Sequence, residues 1–518
     1  MRNGCEKSCT PKTVSVIHQI PPRHLRIYED IEEKFFMARI LSGIWNSRYG
    51  KYLLPLSFCL GNLVNVFFYY LGLAFEENIA RQAGFIVANV LFTAVAFAAL
   101  LAALRFGQLA LRSLLGLGAV LLFFAGCYLS ALLRFGLTHT WMYSAGQFVF
   151  FCFPAFCAGV YAARKRQEAC FFEVLEQLGL WAAPAALIYV NGAVFNCNPF
   201  NWGRNLGIVS YMSFAYMLMP FLMAMIFRFL ESQPLAVVGR ELKHPQRVRG
   251  VLIALYWIAM IASGTRGTYF CVIGFCICSV ISACLHRRHV RRSSVLTVVM
   301  AAVLCFNVFV YAPKGFNTGR ISIFLQGLTR GEIVTSDEDP AVSDHIDALV
   351  KEDGGHQVTN LPEESSEPGS KEDPAGESVQ IKSRGTLFKL ALGEFRKSPL
   401  TGMGPMGYKV KYSMYPHNSL LQLLCETGLV GFLWLFALIL WAVIRLLRIG
   451  WKQADVRCIL LFLIAYAIES NISGDLWYFS PLLCALGYGL AVPGGTDSKY
   501  SVLRETAGPA EANAQHNY

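Results

Sequence analysis

Apolar runs of about 20 residues recur along this chain, and no other feature constrains its fold as tightly. Each run is long enough to cross a hydrocarbon core of about 30 Å as an α-helix. The chain of 518 residues is 55% hydrophobic and only 15% charged. A soluble protein of ordinary composition carries more charge and no such runs. The breaks between runs are short and irregular, whereas β-barrel strands would alternate apolar and polar residues. The expected class is therefore an all-α polytopic membrane protein.

Twelve spans are expected, at 53–75, 84–104, 113–133, 142–163, 177–195, 206–227, 250–265, 268–285, 295–312, 418–444, 457–470 and 478–493. Lys and Arg collect at alternate ends: the arm 1–52, Arg105 with Arg112, "RKRQ", "GRELKHPQRVRG", "HRRHVRR" and "RLLRIGWKQADVR". With twelve spans these all fall on one side, which the distribution of Lys and Arg makes cytoplasmic. Both termini, 1–52 and 494–518, are then cytoplasmic. Spans one to nine occupy 53–312, spans ten to twelve occupy 418–493, and the large loop 313–417 faces outward. The first 50 residues are polar and basic, so no cleavable signal peptide is expected.

The net charge of +11 does not point to nucleic acid, because the positive charge lies in short loops between apolar runs. Residues 332–382 run the other way, with 14 acidic and 3 basic residues, about −11 in all, which leaves about +22 for the rest. The surrounding stretch 331–382 is rich in Glu, Asp, Ser, Pro and Gly and is expected to be a disordered insert. After it, 384–397 places Leu387, Leu390, Ala391 and Phe395 at helical spacing. That pattern predicts an amphipathic helix lying on the membrane or on the bundle. Most of the 16 cysteines lie inside apolar runs, where they act as small hydrophobes. The pair Cys5 and Cys9 in "CEKSC" is too weak a pattern to assign a metal, and no cofactor is expected.

Several residues could carry chemistry. From Gly250 to Leu285 there are 36 residues, about 54 Å of helix, where two crossings need about 60 Å. The turn "SGTRG" should therefore dip into the bilayer, carrying Arg266 with it. A cation there snorkels to the interface or faces an anionic ligand in a polar cavity, and the second reading is preferred. In "YPHNSLLQLLCETGLVGF", Ser419, Gln422 and Glu426 fall on one helical face, with Glu426 about 13 Å below His417. Glu426 reads as a structural hydrogen-bonding group. His417 precedes the first turn, which Asn418 or Ser419 can cap. The helix dipole favours a neutral imidazole there, able to accept a proton at an outward mouth. Arg204 and Asn205 in "FNCNPFNWGRNLG" open another outer helix, and Arg384 opens the loop helix. Outer arginines with one histidine can hold a phosphate or diphosphate by charge-assisted hydrogen bonds.

The stretch from Arg384 to Phe436 resembles the O-antigen ligase and polymerase superfamily of bacterial membrane glycosyltransferases. The resemblance rests on Arg384, the turn "PLTGMG", His417–Asn418 and "ETGLVG", with "SGTRG" around Arg266 and "NWGRNLG" in support. It extends from about the fifth to the eleventh span and does not include the acidic insert. It implies a GT-C-like helical fold with a large extracytoplasmic loop, and glycan transfer from an undecaprenyl diphosphate carrier without a metal. By resemblance, Arg266 and Arg384 would hold the diphosphate and His417 would position or deprotonate the acceptor hydroxyl. Arg204, Asn205 and Asn418 complete the expected substrate-binding set. Expected partners are the lipid-linked donor, a glycan or lipid acceptor, membrane lipids, a flippase and a chain-length regulator. The leading expectation is polymerisation of lipid-linked repeat units into surface polysaccharide, as for capsule or exopolysaccharide. A ligase attaching finished glycan to lipid or protein is the alternative, and a lipid-linked glycan transporter a less favoured one.

Overall fold

The computed structural model describes residues 38–75, 78–107, 109–195, 211–231, 233–237, 240–262, 266–285, 384–412, 414–451, 453–471 and 474–493. Arg204, Asn205, the "CEKSC" pair, the acidic insert 331–382, the expected ninth span 295–312 and the tail 494–518 lie outside them. The described chain is helical apart from one short antiparallel pair, β1 (Ala236–Val237) with β2 (Arg240–Glu241). The helices are α1 (Leu53–Phe75), α2 (Asn78–Phe106), α3 (Leu111–Phe135), α4 (His139–Gln147), α5 (Phe153–Lys165), α6 (Phe171–Phe195) and α7 (Tyr211–Leu230). They continue with α8 (Pro245–Ala262), α9 (Arg266–Leu285), α10 (Arg384–Lys397), α11 (Gly407–Tyr412), α12 (Ser419–Gly450), α13 (Ala454–Ser470) and α14 (Ser480–Ala491). A π-helical turn, Phe148–Cys152, joins α4 to α5.

Among the described residues, five stretches are long and apolar enough to cross a membrane: Ala83–Phe106, Leu111–Phe135, His139–Lys165, Cys170–Val190 and Ser419–Gly450. Large apolar side chains on α3 and α12 face outward, among them Leu122, Leu133, Val430 and Leu433. Such faces are stable against lipid and not against water. The protein is an all-α membrane protein, as expected. Small residues let the central helices approach. A Cβ built on Gly159 of α5 would lie 2.6 Å from the Cys484 carbonyl oxygen of α14, so backbone meets backbone there.

One end of the bundle is tied by arginines. Glu176 near the start of α6 accepts from Arg228 at 2.7 Å and from Arg249, which is fully buried. Arg249 and Arg228 also donate to the Pro234 carbonyl, at 2.8 and 2.7 Å. Arg164 reaches the Ala491 carbonyl at 3.2 Å and Arg445 the Leu490 carbonyl at 2.6 Å, so both cap the last helix. Cations at helix C-termini complement the dipole.

The helix α12 is two arms. Gly428 has φ 63° and ψ −167°, which breaks it into residues 419–427 and 429–450. Its ends are both tied to α13: Ser419 Oγ donates to the Ser470 carbonyl at 3.0 Å, and Arg457 donates to the Gly450 carbonyl at 3.1 Å. A straight helix from 419 to 450 would be about 46 Å long, but Arg457 and Ser470 are only about 20 Å apart along α13. The short arm must therefore fold back beside the long one. The order of residues along the bundle is thereby reversed relative to the sequence expectation. Ser419 lies nearer the arginine-capped end than Glu426 does, so Glu426 is above His417 and not about 13 Å below it.

Candidate functional site

The break in α12 frees backbone groups on both arms, and the "PLTGMG" turn takes up four of them. Met403 and Gly404 donate to the Cys425 and Glu426 carbonyls at 2.9 Å each. Leu429 and Val430 donate to the Pro399 and Leu400 carbonyls at 2.9 and 3.1 Å. A broken helix is tolerated at this depth when neighbouring backbone restores its hydrogen bonds. The glycines make the fit. Gly402 has φ +67°, and a Cβ on it would lie 2.6 Å from Gly428 N. The two sequence signatures, "PLTGMG" and "ETGLVG", are thus two halves of one interlock.

Glu426 completes it. Its carboxylate is fully buried and accepts from Met406 N at 3.0 Å, Tyr408 N at 3.1 Å and the Trp477 indole. It therefore caps α11 and anchors the segment 474–479 at once. The sequence expectation of a scaffold role agrees with this geometry. Glu426→Gln presents an NH₂ to a pocket of N–H donors, and should destabilise the protein by roughly 2–3 kcal/mol. Thermal unfolding of the detergent-solubilised variant would measure it, and an unchanged midpoint would refute the capping role.

Ser419 and Gln422 continue this polar face downward. Gln422 donates to Asp475 Oδ1 at 3.0 Å and accepts from Leu476 N at 3.0 Å. Asp475 is buried and accepts from Trp477 N at 3.2 Å. Lys409 Nζ lies 3.7 Å from Asp475 Oδ2 and 5.1 Å from the Tyr143 ring centroid. The stretch "ESNISGDLWY", which reads as a plain outer loop, thus supplies the surface against which the short arm packs. Asp475 and Trp477 carry no motif; a Gly-Asp turn before an apolar helix was the available signal.

His417 ends the descent into the short arm. Its φ of 56° is left-handed, a conformation in which His is enriched over most other non-glycine residues. The ring is half-buried and packs on Tyr415 at 4.3 Å between centroids. Asn418 caps the arm as expected: its Oδ1 accepts from Leu421 N at 2.9 Å, while its Nδ2 donates to the Asn471 carbonyl at 3.1 Å. The imidazole is therefore held at the level of the α13 terminus, beneath the interlock.

The helix α10 packs on the bundle. Leu387 and Ala391 are buried with Tyr408 and Cys425, and Tyr408 donates to the Leu387 carbonyl at 2.9 Å. Glu394 clamps α10 to α11 through Lys397 at 2.7 Å, Lys411 at 2.9 Å and Tyr412 at 2.8 Å. Burial acts to raise its pKa, but these hydrogen bonds outweigh it and hold the carboxyl at about 2. Ionised Glu394 therefore stabilises the fold fully above about pH 4.5, and this contribution is lost as pH falls towards 2. The melting-temperature gap between wild type and Glu394→Gln should be largest at pH 6 and narrow towards pH 3. A constant gap would show that the charge contributes nothing.

Arg384 is the first residue of α10, one turn before Leu387. Arg266 is the first residue of α9. The helix α8 leaves the end where Arg249 meets Glu176, so α9 opens at the opposite end, where α13 finishes at Ser470. Both helix starts and His417 thus belong to the same end of the bundle. Residues 251–436 match the family model described as O-antigen ligase. The match begins within α8, ends within the long arm of α12 and contains Arg266, Arg384, the interlock and His417. The match spans 186 of the 518 residues, so this segment is similar to the O-antigen ligase family, in agreement with the resemblance read from its motifs. No curated protein matches the chain. In this O-antigen ligase-type segment, the glycines and the glutamate of the signature form the hydrogen-bonded frame, and the histidine stands at its foot.

Proposed function

We propose that this protein is a membrane glycosyltransferase that polymerises undecaprenyl-diphosphate-linked repeat units on the outer face of a bacterial cytoplasmic membrane. The observation that carries the reading is the fold-back of α12. It sets a histidine at the terminus of α13, beside a helix that Arg266 opens. Twelve spans with both termini cytoplasmic would bring this end outward. The acceptor hydroxyl attacks the anomeric carbon of the donor sugar, and the bond from that carbon to the phosphate oxygen breaks. His417 receives the hydroxyl proton. Arg266 and Arg384 compensate the charge that grows on the departing diphosphate, which makes a separate activating group unnecessary. Asn418 keeps the backbone of His417 in register. Arg204 and Asn205 would add contacts to the donor from the preceding outer loop. A flippase would supply the donor and a chain-length regulator would stop the product. Transfer of finished glycan to a lipid or protein acceptor uses the same groups. Purified protein supplied with lipid-linked single repeats separates the two: polymerisation yields a ladder of chain lengths on the carrier. Failure to consume the donor under any acceptor condition would sink both.

A further inference from the structure

One face of α10 is taken up by the bundle and the other is left open. Leu387, Ala391 and Glu394 are buried on the first. Lys389, Leu392 and Arg396 fall at i, i+3 and i+7 on the second, and all three are exposed. Glu394, the one acidic residue of the helix, is engaged by Lys397, Lys411 and Tyr412. Lys389 and Arg396 form no ion pair among the described residues. Just beyond the helix, Leu400 is 63% exposed, and its carbonyl accepts from Val430 N at 3.1 Å. Leu400 thereby extends the apolar face that Val430 and Leu433 turn outward from α12. From Leu429 to Arg448, which is exposed in the last turn, the long arm of α12 measures about 29 Å, close to one hydrocarbon core. With Arg448 at one edge of the core, Leu400 stands at the other, and the C-terminal turn of α10 beside it stands at headgroup level. A helix at that level whose open face sets cations around a leucine has the composition of an interfacial helix.

We infer that the open face of α10, with Leu400, rests on the membrane leaflet at the His417 end and binds anionic phospholipid headgroups. Lys389 and Arg396 donate to phosphate oxygens, and Leu392 and Leu400 enter the acyl boundary. Charge alone would fit a second occupant. From Arg384 to Tyr412 there are six basic residues and one acidic, a local charge of +5, while 332–382 carries about −11. That acidic stretch is rich in Glu, Asp, Ser, Pro and Gly, however, and offers little apolar surface to cover two exposed leucines. An anionic lipid supplies both the charge and the apolar cover.

The experiment places the photoreactive residue p-benzoylphenylalanine at position 392 of the full chain, in nanodiscs of equal parts phosphatidylglycerol and phosphatidylcholine. Irradiation should join it to lipid, with phosphatidylglycerol favoured by about fivefold or more, the scale that one or two cations supply near an anionic surface. High salt should lower that ratio in the otherwise unchanged protein. Lys389→Gln combined with Arg396→Gln should bring it close to one. The melting temperature in detergent should not change, because neither cation is paired within the described fold. Cross-links to peptides from 331–382 would give the face to the acidic stretch, and a face that joins neither lipid nor protein would be merely solvated. Either outcome overturns the inference. So does lipid labelling without headgroup preference, or a preference that survives high salt or the double substitution. None of these readouts depends on glycan transfer, so the inference stands or falls apart from the proposed reaction.

Discussion

His417→Ala should lower glycan transfer by about 10²–10⁴-fold, the usual contribution of a positioned acid–base group, without unfolding the protein. The reason for expecting an intact fold lies in the partners. The short arm of α12 is held by Asn418, Ser419, Gln422 and Glu426, and none of those bonds passes through the imidazole. Alanine at a φ of 56° costs about 1 kcal/mol of backbone strain, well below typical stabilities. His417→Asn tolerates the left-handed backbone better and so separates strain from chemistry. Both variants should remain monodisperse and both should fail to extend or transfer donor. In cells, a polymerase would leave single repeat units on the carrier, whereas a ligase would leave long chains on it. Wild-type product lengths in a folded His417→Ala strain would remove the histidine from the reaction.

Gly428→Ala should be among the most damaging small substitutions in the described chain. With φ 63° and ψ −167°, residue 428 occupies a region that is essentially restricted to glycine. A Cβ there would also lie 2.5 Å from Thr401 N, and the neighbour is backbone that cannot rotate away. Strain and overlap together should cost about 3–5 kcal/mol, a large fraction of ordinary stability. The expected result is loss of most folded protein on detergent extraction, measured by size-exclusion profile and thermal melting. Gly118→Ala is the control, since nothing lies within 4 Å of a Cβ at that position. If Gly428→Ala melted like Gly118→Ala, the interlock of "PLTGMG" with the broken helix would be wrong.

Much of this was legible in the residues, and what was not has a physical cause. The helix 384–397 showed itself through Leu387, Leu390, Ala391 and Phe395, because helical periodicity records which face is buried. Ser419, Gln422 and Glu426 marked a polar stripe for the same reason. The fold-back of α12 left a fainter trace. An apolar stretch of 32 residues reads as one span, because length and hydropathy do not record direction. Only the opposing helix of 17 residues, tied at both ends, shows that the stretch cannot run straight. Asp475 and Trp477 stayed hidden because their partners, Gln422 and Glu426, lie more than 50 residues away in sequence. Local pattern does not report long-range pairing.

The last helix, α14, has 12 residues and is almost entirely enclosed by protein. Its length is about 18 Å, against a hydrocarbon core of about 30 Å. Arginines fix its lower end, so the shortfall is all at the upper one, and the layer of Asp475, Gln422 and Trp477 occupies it. The floor of the candidate site is thus recessed by about 12 Å, roughly two-fifths of the hydrocarbon core, into surroundings of low polarizability. Charges there attract one another more strongly than at an open interface, and bulk water competes less for the acceptor's place. Under the proposed reaction, the brevity of one buried helix would set how deep a substrate must descend before it reacts.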